Sequence, residues 1–475
     1  MYQFITFALA TAIVALLLLL GKKQVKLRIR LLKILAILFC TLGFFRQWMT
    51  DGICYVINGG WFDGVYYKAT DYLQIILRWG YFSAYSLIPL AVFTKVRVIR
   101  NIAGYVTVPF AVLSAVFFDD FLHYFTVSNP HGLQVNTTLR IALFAIELAL
   151  AIAIPVLVHI TDKHVFKVTS LAEWMNFAFA LVGVAIVSVP TYLPQAFFGY
   201  TDLKPDYFSS FHLSWLAATL MVIIILYYLF RFRPYQDRYA LCLFFVLSLF
   251  FHYNSMYMMG FTLKRLPFQL CNIAAYFILI AAVFKLKKFF HFVLLANTVG
   301  TIFAMLGPDF GTGATSFFTV HFVYEHALVL IAPALLAGLR IFPRVTLKSL
   351  KPLLIGFTCY FLFCFVTGTI LNGYADVTGE RVNYFYMFDL DLAMKYFPIF
   401  TFSTNYFFTF GRFVVYPIVV SIVYVGFLGL CLLFYTAVRL LYRFEDDHLA
   451  LRASGIELFE KITKKPSRRP KQFVD

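Results

Sequence analysis

The sequence predicts an all-α, polytopic membrane protein, and three observations predict it. The chain has 475 residues, of which 61% are hydrophobic and 20% aromatic. Only 13% are charged, and the mean hydropathy is +0.81. Apolar runs of membrane-spanning length, roughly 20 residues each, recur from end to end. The net charge of +17 sits in short clusters between those runs, the pattern of loops on the cytoplasmic side. That distribution argues against both a soluble globular domain and a nucleic-acid-binding protein.

Thirteen spans are expected, at 3–20, 31–48, 71–93, 101–118, 139–160, 171–190, 210–230, 239–256, 266–284, 289–306, 317–339, 351–371 and 409–436. Alternate connections carry the base: Lys22, Lys23, Lys26, Arg28 and Arg30, then Lys95, Arg97 and Arg100, then Lys163 and Lys167. The series continues with Arg231, Arg233 and Arg238, with Lys285, Lys287 and Lys288, and with Arg340, Arg344, Lys348 and Lys351. It ends in the tail, at Lys464, Lys465, Arg468 and Arg469. These loops are expected in the cytoplasm, which puts the N-terminus outside and the C-terminus inside a plasma membrane. The first run reads as an N-out helix rather than a signal peptide, because its base follows it and no small-residue cleavage site does. Seven cysteines, Cys40, Cys54, Cys242, Cys271, Cys359, Cys364 and Cys431, form no CxxC pair and predict no disulfide framework.

The chain is written twice. FAIELALAIAIP, from Phe144 to Pro155, returns as FVYEHALVLIAP, from Phe322 to Pro333. Glu147 aligns with Glu325, and Leu148 with His326. Ala84-Tyr85 to Ala91-Val92-Phe93 matches Ala275-Tyr276 to Ala282-Val283-Phe284, and the same offset puts Gly80 opposite Cys271. Acidic exits follow at Asp119-Asp120-Phe121 and Pro308-Asp309-Phe310, and Ser170-Leu171 pairs with Ser349-Leu350. The expected organisation is 1 + 6 + 6: a leading helix and basic loop at 1–30, a first six-helix repeat at 31–237, a second at 238–444, and a cytoplasmic basic tail at 445–475. Six is even, so the repeats are parallel.

Titratable chemistry concentrates in the second repeat. On the expected topology Cys271 lies ~9 Å down one span, and His321, Glu325 and His326 lie ~6–14 Å down another, both entered from outside. Asp309, Asn372, Arg381, Asn383 and Tyr384 gather at the same outer level. His321 and Glu325, four apart, share a helix face. A carboxylate holds a histidine in one tautomer and raises its basicity, as a general base requires. A histidine that takes a thiol's proton makes the cysteine a nucleophile. Cys271 with either histidine therefore fits acyl transfer. The bland readings are that Cys271 packs as a small residue and that Glu325 bridges helices. HFVYEH fits neither HExxH nor HxxEH, and no GxGxxG, Walker loop or Gly-x-Ser-x-Gly elbow occurs. No metal and no cofactor are expected.

Arg265-Leu266-Pro267-Phe268-Gln269-Leu270-Cys271 resembles the LPxxLC motif of the YwaF-type bacterial integral membrane proteins. Those proteins resemble the eukaryotic transmembrane acyltransferase that makes polyunsaturated ether phospholipids. Further motifs follow in order: Asn297 to Leu306 with Pro308, Phe322 to Pro333, then Asn372, Gly379, Asn383 and Tyr384. The resemblance covers about residues 239–440. It implies Cys271 as acyl-accepting nucleophile, His326 as its base, a phospholipid acyl chain as substrate, and a bacterial source. Gln269 stands where the family usually has histidine.

Three functions are therefore in view. The first is outer-leaflet lipid acyl transfer, with Arg265 on a phosphate and the loop from Asn372 to Asn383 on a head group or acceptor. The second is a transporter or flippase of a lipid or small anionic substrate, using Glu147, Glu325, Arg78 and Arg140. The third is a non-catalytic scaffold whose first repeat binds a membrane-protein partner. Membrane lipids are the expected partners, with a membrane-protein partner through the first repeat also in view, and no nucleic acid is expected.

Overall fold

The computed structural model describes residues 1–49, 69–126, 135–161, 170–199, 203–311, 313–388, 394 and 398–463. Cys54, Lys163, Lys167, Lys464, Lys465, Arg468 and Arg469 lie outside the described residues. Among the described residues, ten helices are long and apolar enough to cross a membrane. Three further helices coincide with the remaining expected spans. Val25–Trp48 carries Lys26, Arg28, Arg30 and Lys33 in its first half. Leu171–Val187 and Leu270–Phe284 are shorter, at 17 and 15 residues. The protein is thus all-α and polytopic.

Two expected boundaries move, each for a local reason. The final span was expected to start at 409. Instead Phe408–Phe410 and Phe413–Val415 pair as an antiparallel hairpin, turning at Gly411 with φ +60°. Alternating aromatic and β-branched residues favour the strand, and the helix begins at Pro417, whose fixed φ suits a first helical position. That helix then runs for 47 residues, to Thr463, through the acidic stretch that was expected to begin the tail. The span expected from 266 starts at Leu270, because a residue before proline is pushed out of the helical region and Leu266 precedes Pro267 (φ −55°, ψ 139°).

Contacts divide the chain into two compact units that interleave along the sequence. The first comprises Met1–Ala218, Tyr239–Phe261 and Pro308–Leu328. Its core surrounds the helix Thr137–Thr161, which packs on Tyr2–Lys23 and Val25–Trp48. Ala10, Ala149 and Ala153 are buried together at the crossing with the leading helix. Small side chains allow such close approach where no hydrophobic drive separates helix from lipid.

The second compact unit comprises Thr219–Arg238, Thr262–Gly307 and Val329–Asp475. Helices Leu270–Phe284, Lys287–Leu306, Leu350–Gly373 and Pro417–Thr463 form it. Phe357, Phe385, Tyr424 and Phe427 stack and tilt against one another with centroids 5.5–6.1 Å apart, within the range that aromatic pairs favour. At one end Arg344 reaches both Glu445, at 2.5 Å, and Asp446, at 2.8 Å. The Tyr227 hydroxyl donates to Glu445 at 2.6 Å. These contacts fasten the long final helix to the turn after Gly338.

Candidate functional site

In the second compact unit, Cys271 occupies the second position of the helix Leu270–Phe284, not a turn and a half inside it as the expected span had placed it. Gln269 is the N-cap residue, and no side chain caps the end. The N–H groups of a first helical turn have no intrahelical acceptor, and the helix dipole favours negative charge there. Cys271 is half-buried, and its S–H donates to Asn272 Oδ1 at 3.0 Å.

The motif residues around it are clamps. Gln269 Nε2 donates to the Asn383 carbonyl at 2.7 Å, while its Oε1 accepts from Phe385 N at 3.2 Å. Asn372 does the same to a single residue: Nδ2 to Val382 O at 2.9 Å, and Val382 N to Oδ1 at 3.0 Å. Asn383 Oδ1 accepts from Phe388 N at 3.1 Å. Tyr384 is buried with its ring 5.4 Å from that of Phe268. Asn297, fully buried, donates to the Leu270 carbonyl at 2.5 Å, one residue before the cysteine. Tyr360 and Cys364, which sequence reasoning did not single out, both donate to the Phe268 carbonyl, at 2.9 and 3.3 Å. Arg265 is half-buried and Arg381 exposed. The segments 263–271 and 372–388 are thus joined by side chain-to-backbone bonds. Asn372→Ala is expected to cost about 1–3 kcal/mol, the penalty for stranding buried backbone groups. The measurement is proteolysis, which should speed up between Gly373 and Phe388 while the helices persist.

In the first compact unit, the helix Phe317–Gly338 contributes His321, Glu325 and His326, all buried. His321 Nε2 lies 3.1 Å from the Tyr253 carbonyl, which can only accept, so this nitrogen carries a proton. Its Nδ1 lies 3.6 Å from Glu325 Oε2. Both ring nitrogens of His321 are therefore committed. His326 differs. Its Nδ1 donates to the Phe322 carbonyl at 2.8 Å and its ring stacks on Phe322 at 4.0 Å. This fixes the tautomer, leaving Nε2 as a buried lone pair with no hydrogen-bond partner among the described residues. Asp309 is exposed and pairs with Lys204 at 3.1 Å.

The repeat-related glutamates have different surroundings. Glu147 Oε2 accepts from Arg46 at 2.8 Å. Its Oε1 accepts from the Tyr81 and Tyr85 hydroxyls, at 2.8 and 2.5 Å. Arg46 also bonds the Tyr85 hydroxyl and lies over the Phe144 ring. Sequence reasoning missed this cage; the signal was an arginine at the end of an apolar run, facing tyrosines four residues apart. Glu325 Oε1, in contrast, has no hydrogen-bond partner among the described residues. The two aligned differences also acquire a physical basis. A Cβ on Gly80 would meet the Phe110 ring at 2.3 Å, so a cysteine there requires the ring to move. Leu148 is fully buried in the apolar core, where an imidazole would need polar partners. Among the described residues no three His, Cys, Asp or Glu side chains converge to hold a metal.

Residues 207–436 match the model of the TMEM164 family. This is a transmembrane family, and the matched segment holds Cys271, His321, Glu325, His326 and every motif residue from Arg265 to Tyr384. Arg46, Gly80 and Glu147 fall outside it. No curated protein and no solved structure matches the chain significantly. The TMEM164 match, 230 of 475 residues, thus covers just under half of the sequence, the part in which the candidate chemistry lies.

Proposed function

We propose that the protein transfers acyl chains between lipids at the outer leaflet of a plasma membrane. Cys271 is the nucleophile, and the resemblance casts His326 as its base. The Cys271 thiol gives its proton to a general base as the sulfur attacks a lipid ester carbonyl, and the alcohol leaves with that proton. The resulting thioester is attacked by a second lipid's hydroxyl, whose proton the base takes and returns to the departing thiolate. The observation that carries this reading is the His326 ring, with Nδ1 tied and Nε2 a buried lone pair. Burial without a partner is costly, and a base has a use for it. The position of Cys271 at a helix N-terminus, held by Gln269 and Asn297, supports its role.

The experiment is labelling of Cys271 by a lipid-like electrophile in membranes. His326→Ala should stop labelling and His321→Ala should leave most of it. Labelling indifferent to His326 would remove the base assignment; no labelling of the unmodified protein would remove the nucleophile. A transport reading predicts equal sensitivity at Glu147 and Glu325. The full occupation of Glu147 by Arg46, Tyr81 and Tyr85 speaks against such equality.

A further inference from the structure

We propose that the C-terminal arm of the final helix pairs with the same arm of a second copy of the protein, as a parallel two-stranded coiled coil. Within Pro417–Thr463, the 22 residues from Pro417 to Val438 include no charge, whereas nine of the 25 from Arg439 to Thr463 are charged. The first stretch has the length of a membrane span. The second is an arm beyond the apolar layer. Along it Leu441, Phe444 and His448 stand three and four residues apart and are exposed, the first two at 64% and 69%. Counting on through the helix puts Leu451, Gly455, Leu458 and Ile462 in the same series. Alternating steps of three and four make a seven-residue repeat, and its positions keep to one seam, about 100° of the helix circumference.

A lone helix with such a seam bare to water is marginal, and Gly455 in its interior weakens it further. The membrane surface does not cover the seam. No proline follows Pro417 in this helix, so the arm continues out of the membrane without a kink to lay it flat. Its own unit does not cover it either. Arg344 grips Glu445 and Asp446, and Asp446 holds the position opposite the seam, so the body lies on the side away from Phe444. A second copy fits by charge. In a parallel pair, the residue before each first position of the repeat faces the partner's residue five further on. Asp447 and Arg452 hold those two places, with opposite charge, and twofold symmetry makes the match twice. Copies inserted the same way in one membrane present their arms in parallel. Phe444, Leu451 and Leu458 take the fourth positions, where leucine favours two strands, and His448 is a polar residue at a first position, the device that fixes register.

The test oxidises the full-length protein, carrying one added cysteine, with copper phenanthroline in membranes, and reads a nonreducing gel against the unmodified protein. Leu451→Cys and Leu458→Cys, in the seam, should give a dimer that reductant dissolves. Ala453→Cys and Glu460→Cys, opposite the seam, should give none. Asp447→Arg should remove most of the dimer formed through Leu451→Cys, and adding Arg452→Asp should restore it, because only a second copy reverses its own charges in step. Equal cross-linking at all four positions would mean chance collision and overturn the proposal. So would no dimer from the seam positions, or a charge exchange that fails to restore it. Particle mass after purification gives a second reading: two copies for the unmodified protein and one for Leu451→Asp. A single copy carrying a different protein would give the seam to that partner and overturn the pairing.

Discussion

Cells carrying Cys271→Ala are expected to lose the acyl exchange proposed for the unmodified protein, with protein abundance unchanged. The magnitude follows from the role. A nucleophile that forms the covalent intermediate has no substitute, so the exchange should fall to the level of cells lacking the protein. The substitution itself is mild, because Cys271 is half-buried and its S–H donates to the side chain of its sequence neighbour Asn272. Removing one sulfur at such a position costs little packing. Lipid mass spectrometry beside an immunoblot separates the two effects. Unchanged acyl profiles at normal abundance would dismiss the enzyme reading, whatever His326 does.

Arg46→Met should be the most damaging single change to stability. It leaves Glu147, fully buried, with two phenols and no ion-pair partner among the described residues. Breaking a buried pair from one side costs about 3–5 kcal/mol, because the surviving charge keeps its desolvation penalty without its partner. Adding Glu147→Gln to Arg46→Met should recover much of the loss, since both charges are then gone. Unfolding of the purified protein in increasing denaturing detergent reads both variants. A double variant no better than the single one would place the value of Arg46 elsewhere, in its contact with Phe144.

The helices were legible because membrane spans are announced by length and hydropathy alone, and the match between expected spans and described helices reflects that. Ends were less so. Cys271 moved to a helix start because Pro267 acts on its neighbour's backbone, which hydropathy does not register. The hairpin at 408–415 was hidden inside an apolar run that a window average reads as span. Within the candidate site, the pairing of His321 with Glu325 followed from their spacing. The distinction between His321 and His326 did not, since it depends on which backbone carbonyl each ring meets, at Tyr253 and at Phe322. Gln269 read as a departure from a motif; in the fold its amide grips two backbone groups, a role that needs both a donor and an acceptor.

The final helix has a mechanical consequence. At about 1.5 Å per residue its 47 residues make a rod of about 70 Å, while the hydrocarbon it crosses is about 30 Å thick. Over half its length must therefore project past the apolar layer. Arg344, gripping Glu445 and Asp446, acts as a bearing partway along that rod. Anything that pulls or twists the projecting end delivers torque at this bearing first, and from there to the residues packed along the buried stretch, Tyr424 and Phe427 among them. A load on the C-terminal arm is in this way a load on the aromatic cluster that includes Phe385, next to the backbone that Gln269 holds.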